Sequence, residues 1–216
     1  YWFTTQERAA TFLAVYRQNR VGGLFMSSGI PHDVDCVMAD LIETARLLRY
    51  EGYDGYLHLK ILPGASRTDI SEAARFASRI SINVETTGAS RLRALSGTKD
   101  YEQDIKKRLA WVAEAKPGKH TTQLVVGAAG ETDAEILSCV ADLYRNVSPS
   151  RIYYSAFHPM PKTRLETRPA TPAWRASRWY QLDYLIREYG IPAEELLGAI
   201  GDGGDLPDAD PKETIA

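Results

Sequence analysis

Short apolar runs alternate along the chain with longer segments of helical period, and this alternation constrains the fold more than any other feature. Neighbouring runs begin roughly 20 to 40 residues apart, which is the size of one strand–helix unit of a parallel sheet. The pattern therefore predicts an α/β protein built from consecutive βα units. The predicted strands are residues 23–27, 56–62, 79–84, 121–126 and 151–155.

The predicted helices lie before, between and after these strands. Thr4 and Glu7 have the spacing of a capping box, which marks the start of the first helix. A helix precedes the first predicted strand of this chain. A βα barrel or open βα sheet normally begins with a strand, so we expect that first strand to be absent from this chain. The predicted helices are near residues 5–19, 35–50, 69–78, 101–115 and 132–146, with further helices at 172–189 and 191–195.

The two cysteines of this 216-residue chain, Cys36 and Cys139, each stand alone in an apolar, helix-like segment. We expect both to be small core residues in a reducing compartment. The chain begins with Tyr1 rather than Met, and we expect it to be a piece of a longer protein. It has neither a signal peptide nor an apolar run of about 18 residues, and this favours a cytoplasmic protein without membrane contact.

Charge is segregated in the C-terminal third, although the net charge is only −2. Residues 145–187 contain eight Lys or Arg and two acids, whereas residues 188–216 contain eight acids and one Lys. Such a block is most often solvated surface, and the alternative is a basic face that meets phosphate. We expect one barrel-like domain over 1–189, then a short helix and an acidic tail over 190–216, which is mobile unless something docks on it.

Functional residues of parallel βα folds lie at the carboxyl ends of the strands. The first strand closes on Ser27, Ser28 and Gly29, which can approach a ligand closely or form a plain tight turn. His58 and Lys60 share one face of the second strand. A lysine there indicates a lined cavity or a sheet edge, because buried lysines need a partner.

The third predicted strand places Ser81, Asn83 and Glu85 on one face. A carboxylate and an amide at a strand end suit an amino group and vicinal hydroxyls, because they accept and donate hydrogen bonds in fixed directions. The alternative is that Glu85 caps a helix or pairs with a surface cation.

The fourth strand runs from Gln123 through Val125 to Gly127, where small residues leave room above the strand end, although no GxGxxG motif is present. The fifth strand leads to Phe157 and His158. Aromatic residues there either flank a flat ring or fill a barrel, and a lone histidine before proline is more often structural. No nucleophile and base stand at a recognisable spacing, so these residues alone indicate only a small-molecule site.

Five segments taken in order, LFMSSG, HLKILPGAS, ISINVET, TTQLVVGAAGETD and RIYYSAFHP, resemble the radical S-adenosylmethionine (SAM) superfamily. The most similar branch is described as acting in DNA modification or repair and is often found beside uracil-DNA glycosylase-like proteins. Each segment is weakly specific, but their joint order is specific. The resemblance extends from Phe3 to Lys212.

The resemblance implies a partial (βα)6 TIM-like barrel, of which this chain holds strands 2–6 with their helices. It also implies SAM held over a [4Fe-4S] cluster that an electron donor reduces. Reductive cleavage of SAM then yields methionine and a 5′-deoxyadenosyl radical, which takes a hydrogen atom from the substrate. By motif, the SAM-binding positions would be Ser27, Ser28 and Gly29 at the amino group, Asn83 and Glu85 at the ribose or carboxylate, and Val125, Gly127, Phe157 and His158 near the adenine. Gln123 would be a further cofactor-binding position.

The sequence departs from this superfamily at the CxxxCxxC loop that holds the cluster, which should follow the first strand. Neither Cys36 nor Cys139 can replace it, so this chain holds no expected metal ligand, and the cluster ligands are expected upstream of Tyr1. The C-terminal helix-hairpin-helix segment usual in the branch is missing as well. We therefore expect the barrel of a radical SAM enzyme, inactive by itself.

Three hypotheses remain for the function. The leading one is a radical SAM enzyme whose expected partners include DNA or another nucleic acid, with His58, Lys60 and Arg164 as candidate substrate residues. The second is a catalytically silent barrel that binds nucleic acid through the basic segment 145–187. The third is an unrelated βα-barrel enzyme with a phosphate ligand, which the lack of a glycine-rich phosphate loop disfavours.

Overall fold

The computed structural model describes residues 3–29, 33–97 and 99–215. Within them the chain forms an α/β fold with a five-stranded parallel sheet whose strand order follows the chain. Phe25 is opposite His58, and Ser81 is opposite Thr121. The strands are β1 (Gly23–Met26), β2 (Tyr56–Lys60), β3 (Arg79–Ser81), β4 (His120–Val126) and β5 (Arg151–Ala156).

This strand order separates two classes of α/β fold. A doubly wound sheet reverses its order at a switch point, whereas a βα barrel adds each strand beside the preceding one. The predicted α/β class is therefore confirmed, and the strand order is consistent with part of a βα barrel. The six-unit barrel, and the assignment of these strands as its second to sixth, stay predictions.

Helices connect the strands and extend the chain at both ends. The predicted helices are present within a few residues of their expected bounds. A seven-residue helix after β3 and a C-terminal helix at Pro211–Ile215 were not predicted, and the predicted helix 101–115 begins with a π-helical segment at Tyr101–Lys106. The helices are α1 (Thr5–Arg17), α2 (Val34–Tyr50), α3 (Arg67–Phe76), α4 (Ala89–Leu95), α5 (Lys107–Ala115), α6 (Asp133–Asn146), α7 (Ala173–Tyr189), α8 (Ala193–Leu196) and α9 (Pro211–Ile215).

The chain forms two compact units. Unit 1 consists of Tyr1–Ile82 and Gln103–Thr121, and unit 2 of Asn83–Glu102 and Thr122–Ala216. Each unit has buried apolar side chains of its own and is described separately below.

In unit 1, one face of β2 is packed and the other is only partly buried. Leu57 and Leu59 of β2 and Ile80 of β3 are fully buried, whereas Tyr56 is exposed and His58 is half-buried. This alternation is expected for strands whose side chains point to opposite faces in turn. The open face of β2 therefore carries the polar and aromatic residues of the strand.

In unit 2, buried side chains of β5, α6 and α7 form a core that includes a carboxylate. Ile152, Val140 and Trp179 are fully buried, and so is Asp133 at the start of α6. The Asp133 carboxylate accepts hydrogen bonds from Trp179 Nε1 at 2.6 Å and from the Leu206 backbone N–H at 2.8 Å. A buried carboxylate needs such partners, because an unpaired one would be strongly destabilising.

The acidic C-terminal segment contacts the rest of unit 2. Leu206 is buried, and the Gly204 carbonyl accepts a hydrogen bond from the Ala134 N–H at 3.0 Å. The acidic tail was expected to be mobile unless something docked on it, and these contacts dock residues 204–206 on α6. None of the helices in the described part of the chain is long and apolar enough to cross a membrane.

Candidate functional site

The segment that follows β3, which begins unit 2, has an unusual backbone at Glu85. Glu85 adopts a φ of 66°, in the left-handed region that residues with a side chain rarely occupy. Its N–H donates to the Gln123 carbonyl at 3.0 Å, and its carbonyl accepts from the Val125 N–H at 2.9 Å. These two hydrogen bonds to β4, one from the N–H and one to the carbonyl of Glu85, hold the residue in this conformation. They also fix the direction in which its side chain leaves the backbone.

The Glu85 carboxylate is ion-paired. Lys99 Nζ lies 3.4 Å from Glu85 Oε1, and the two side chains are only 16% and 22% exposed, respectively. Of the alternatives left open above, an ion pair is therefore present, although it is mostly shielded from solvent. Lys99 also lines a cavity of about 590 Å³ in unit 2, together with Arg93, Tyr101 and other residues of the segment 89–102.

Asn83 and Gln123 carry amide side chains in the same part of the sheet, Asn83 just after β3 and Gln123 within β4. The half-buried Asn83 side chain makes no hydrogen bond to any residue of the described part of the chain. Gln123 Nε2 donates to Ser155 Oγ at 3.0 Å. Beside Gln123, Val125 is half-buried and faces the same side of β4. Carboxylate, amide and hydroxyl groups thus occur on three neighbouring chain segments, just after β3, within β4 and near the end of β5.

The loop after β4 is organised by Glu131. Its carboxylate accepts hydrogen bonds from the Gly127 N–H at 2.6 Å and from the Ala129 N–H at 2.9 Å. Gly127 has a φ of 83°, and a Cβ atom on it would lie 2.1 Å from Thr171 Oγ1. Glycine is therefore required here by both conformation and space, and the small-residue pattern of this loop has a structural cause.

The two predicted residues after β5 differ in their surroundings. Phe157 is buried, its N–H donates to the Val126 carbonyl at 3.0 Å, and its carbonyl accepts from the Thr171 N–H. His158 is exposed, and so is the candidate substrate residue Arg164. Neither side chain forms a hydrogen bond or an ion pair within the residues that the structure describes. Only Phe157 is fixed beside the end of β4.

In unit 1, Ser27, Ser28 and Gly29 follow β1 and are all exposed. Nothing lies within 4 Å of the position that a Cβ on Gly29 would take. The space around this position therefore does not require glycine. The close approach of a ligand to these three residues stays a prediction.

Unit 1 brings together a serine and a histidine that the sequence analysis did not pair. His58 Nε2 is hydrogen-bonded to Ser81 Oγ at 2.8 Å, and Tyr56 Oη lies 3.4 Å from His58 Nδ1. Burial, with a smaller contribution from the Arg79 guanidinium, lowers the pKa of His58 to about 4. At neutral pH the imidazole is therefore uncharged, and one of its nitrogens accepts while the other donates. Lys60 is half-buried, with no ion pair among the described residues.

We expect His58 to make unit 1 less stable as the pH falls from about 6.5 to about 4. Above this range the imidazole is neutral in both states. Within it the unfolded chain binds a proton that the folded protein does not, so unfolding is favoured. The loss is at most about 3 kcal/mol, and it is smaller in practice because solvent screens a partly exposed ring.

Urea unfolding at pH about 7 and about 4.5 checks this expectation. The His58→Gln variant should lose less stability between the two pH values than the wild type, and His158→Gln, which alters an exposed ring, should behave like the wild type. Equal losses in the His58→Gln variant and the wild type would show that His58 does not carry the effect.

The cysteines offer no cluster site. Cys36 is exposed, so its predicted core position is wrong, because its place on α2 faces solvent. Cys139 is half-buried, and burial raises the pKa of its thiol to about 12. Among residues 3–29, 33–97 and 99–215, no three His, Cys, Asp or Glu side chains are grouped so that they could hold a metal ion.

Half of the eight basic residues in the segment 145–187 are paired with carboxylates of the protein itself. Arg175 and Arg178 of α7 pair with Asp205 and Asp208 of the acidic C-terminal segment, each at 3.1 Å. Arg145 pairs with Asp142, and Arg187 with Asp183 and Glu188. A nucleic acid that bound here would depend on the four cations of the segment with no carboxylate partner in the described residues: Arg151, Lys162, Arg164 and Arg168.

Comparison of the sequence with protein-family models and with curated proteins finds no match. The resemblance to the radical SAM superfamily therefore rests on the five sequence segments quoted above.

Proposed function

We propose that this chain binds SAM at the carboxyl ends of β3 and β4 and is the barrel portion of a radical SAM enzyme. The observation that carries the proposal is the left-handed backbone of Glu85, with a φ of 66°, at the end of β3. A residue with a Cβ costs about 1–2 kcal/mol in this conformation. Such strain is concentrated at ligand sites, where the surrounding structure holds a side chain in a required direction.

The side chains near Glu85 fit the functional groups of SAM. SAM carries an ammonium and a carboxylate, which Glu85 and Lys99 can bind by opposite charge. Its ribose hydroxyls both donate and accept, as does the unpartnered amide of Asn83. Val125 and Phe157 supply apolar surface of the kind that an adenine ring needs. Lys99 also lines a cavity of about 590 Å³, a volume within the usual range of small-molecule sites, although Glu85, Asn83, Val125 and Phe157 are not among its lining residues.

The described residues do not fit a [4Fe-4S] cluster, because they contain no group of three metal-ligating side chains. Radical chemistry is therefore proposed only for a protein in which three further cysteines supply the cluster. In such a protein SAM would be the source of a 5′-deoxyadenosyl radical. The contribution proposed for the present residues is to bind and orient SAM.

We expect titration calorimetry to show saturable SAM binding, and Glu85→Gln to raise the Kd about tenfold or more, because a hydrogen bond to a charged group contributes about 1.5–3 kcal/mol. Glutamine keeps the size of the side chain, removes its charge and replaces one acceptor oxygen by an NH2 donor. Glu114→Gln is the matched control, because Glu114 is exposed and paired with Arg67 at 2.7 Å.

The control should leave the Kd within about twofold of the wild type, as surface substitutions usually do. Absence of saturable SAM binding by the wild-type protein would contradict the proposal, and so would equal affinities in the wild type and the Glu85→Gln variant.

A further inference from the structure

We propose that unit 1 carries a second binding site, for a mononucleotide, on the open face of β1, β2 and β3. This site, the aromatic strand face, is formed by Phe25, Tyr56, His58, Lys60 and Arg79. It is independent of the SAM site proposed in unit 2.

The first support is the exposure of large rings on a parallel sheet. Parallel sheets are normally covered on both faces. On the packed face Leu57 is fully buried, but on the open face Phe25 is 54% exposed and Tyr56 is 44% exposed. Their neighbour in the sheet is His58, whose ring centroid lies 4.7 Å from that of Phe25 and 6.2 Å from that of Tyr56. Three rings on two adjacent strands thus form an aromatic surface on which, in the described part of the chain, Phe25 and Tyr56 remain exposed and His58 is half-buried.

The second support is the charge of this face. Lys60 and Arg79 point to the same side of the sheet as His58, since their positions alternate with the buried ones. Neither forms an ion pair in the part of the chain that the structure describes. The Arg79 guanidinium lies 5.9 Å from the Tyr56 ring centroid, so cation and ring are side by side. The strand residues on this face include no carboxylate.

The third support is that hydrogen bonds hold the His58 ring in place. Its Nε2 atom is hydrogen-bonded to Ser81 Oγ at 2.8 Å, and its Nδ1 atom lies 3.4 Å from Tyr56 Oη. The low pKa of His58 leaves its ring uncharged at neutral pH. The positive charge of the face therefore comes from Lys60 and Arg79, and the ring surface between them is held in one orientation.

A ligand that satisfies the whole face needs a flat ring and a negative group. Nucleobases stack on aromatic side chains in a way that tolerates any base, and phosphate is bound well by Arg and Lys. A nucleotide carries both groups within one molecule. A ligand that has only one of them would leave either the rings or the cations without a partner.

Titration calorimetry with cytidine monophosphate tests this site, because its base is not the adenine of SAM. We expect saturable binding, and Phe25→Leu should raise the Kd about tenfold by removing a stacking ring. Tyr50→Leu is the matched control, because Tyr50 is 86% exposed at the end of α2. Arg79→Gln should weaken binding to a similar extent, with Arg20→Gln, at an exposed position outside the sheet, as its control. Both controls should stay within about twofold of the wild type.

Two further ligands separate the contributions of the ring and the charge. Cytidine and inorganic phosphate should each bind at least about tenfold more weakly than the nucleotide. Phe25→Leu should leave SAM binding unchanged, and Glu85→Gln should leave nucleotide binding unchanged, so the two proposals can fail separately. The proposal is overturned by absence of saturable nucleotide binding, by equal effects of Phe25→Leu and Tyr50→Leu, or by binding of an oligocytidylate but not of the mononucleotide.

Discussion

Replacing Asp133 by asparagine is expected to lower the free energy of unfolding by about 3–5 kcal/mol, the usual loss when one partner of a buried ion pair is removed. The Asp133 side chain is fully buried, and both of its oxygens lie 3.0 Å from Arg175 Nε. The same two oxygens accept from Trp179 Nε1 and from the Leu206 N–H. Asparagine would present an NH2 group to one of these donors and leave the Arg175 charge less compensated.

Asp142→Asn is the matched control for Asp133→Asn on the same helix. Asp142 is 63% exposed and pairs with Arg145 at 3.2 Å, and such surface pairs contribute about 0–1 kcal/mol. Urea titrations of both variants give the comparison. If Asp133→Asn lowered the free energy of unfolding no more than Asp142→Asn does, the buried carboxylate would not be the link between α6, α7 and the C-terminal segment.

Gly127→Ala is expected to destabilise unit 2 by about 3 kcal/mol, from a left-handed backbone that costs about 1–2 kcal/mol with a Cβ and from overpacking of about 1–3 kcal/mol. The added methyl would lie 2.1 Å from Thr171 Oγ1. Because Gly127 donates to the Glu131 carboxylate, a shift of this loop should also weaken SAM binding.

The same loop contains a control for the crowding component. Gly130 has a φ of 71°, and a Cβ on it would lie 3.9 Å from its nearest neighbours, the Nη1 atoms of Arg91 and Arg168. Gly130→Ala should therefore cost only the backbone component, about 1–2 kcal/mol. In a Thr171→Ala background, Gly127→Ala should become less costly by about 1 kcal/mol or more. Equal costs in the two backgrounds would show that the predicted clash with Thr171 does not occur.

The sequence predicted most strands well because one face of each is apolar. β3 shows where this reasoning stops. It was expected to run to Val84, but the regular ladder ends at Ser81. The Val84 N–H donates to Thr122 Oγ1 instead of a backbone carbonyl, and Glu85 then makes an isolated bridge to Leu124. Pairing with β4 thus recurs only as a bridge at the left-handed Glu85, and no residue type in ISINVET predicts that conformation.

Helix α4 could not be predicted for a different reason. It has seven residues, it follows Gly88 without a side-chain cap, and Leu92 is its one buried residue in the described part. A single buried position gives no helical period. Lys99, which pairs with Glu85, comes shortly after this helix and had no sequence signal of its own.

Contacts between strands depend on register, which apolar alternation does not specify. The residues His58 and Ser81 were each placed on the correct face, but their hydrogen bond requires that Lys60 be opposite Ser81 in the sheet. Likewise, the sequence shows the blocks of opposite charge in the C-terminal third. It does not predict that Arg178 pairs with Asp208, because that pairing depends on how the C-terminal segment folds onto α7.

Hydrogen exchange of the backbone amides, measured with and without SAM, is the most direct test of SAM binding at the ends of β3 and β4. Binding there should slow exchange at residues 83–86 and 123–131 and leave α2 of unit 1 unchanged. Glu85→Gln should reduce this protection at the same SAM concentration. Unchanged exchange throughout the chain, or protection confined to unit 1, would contradict the proposed SAM site.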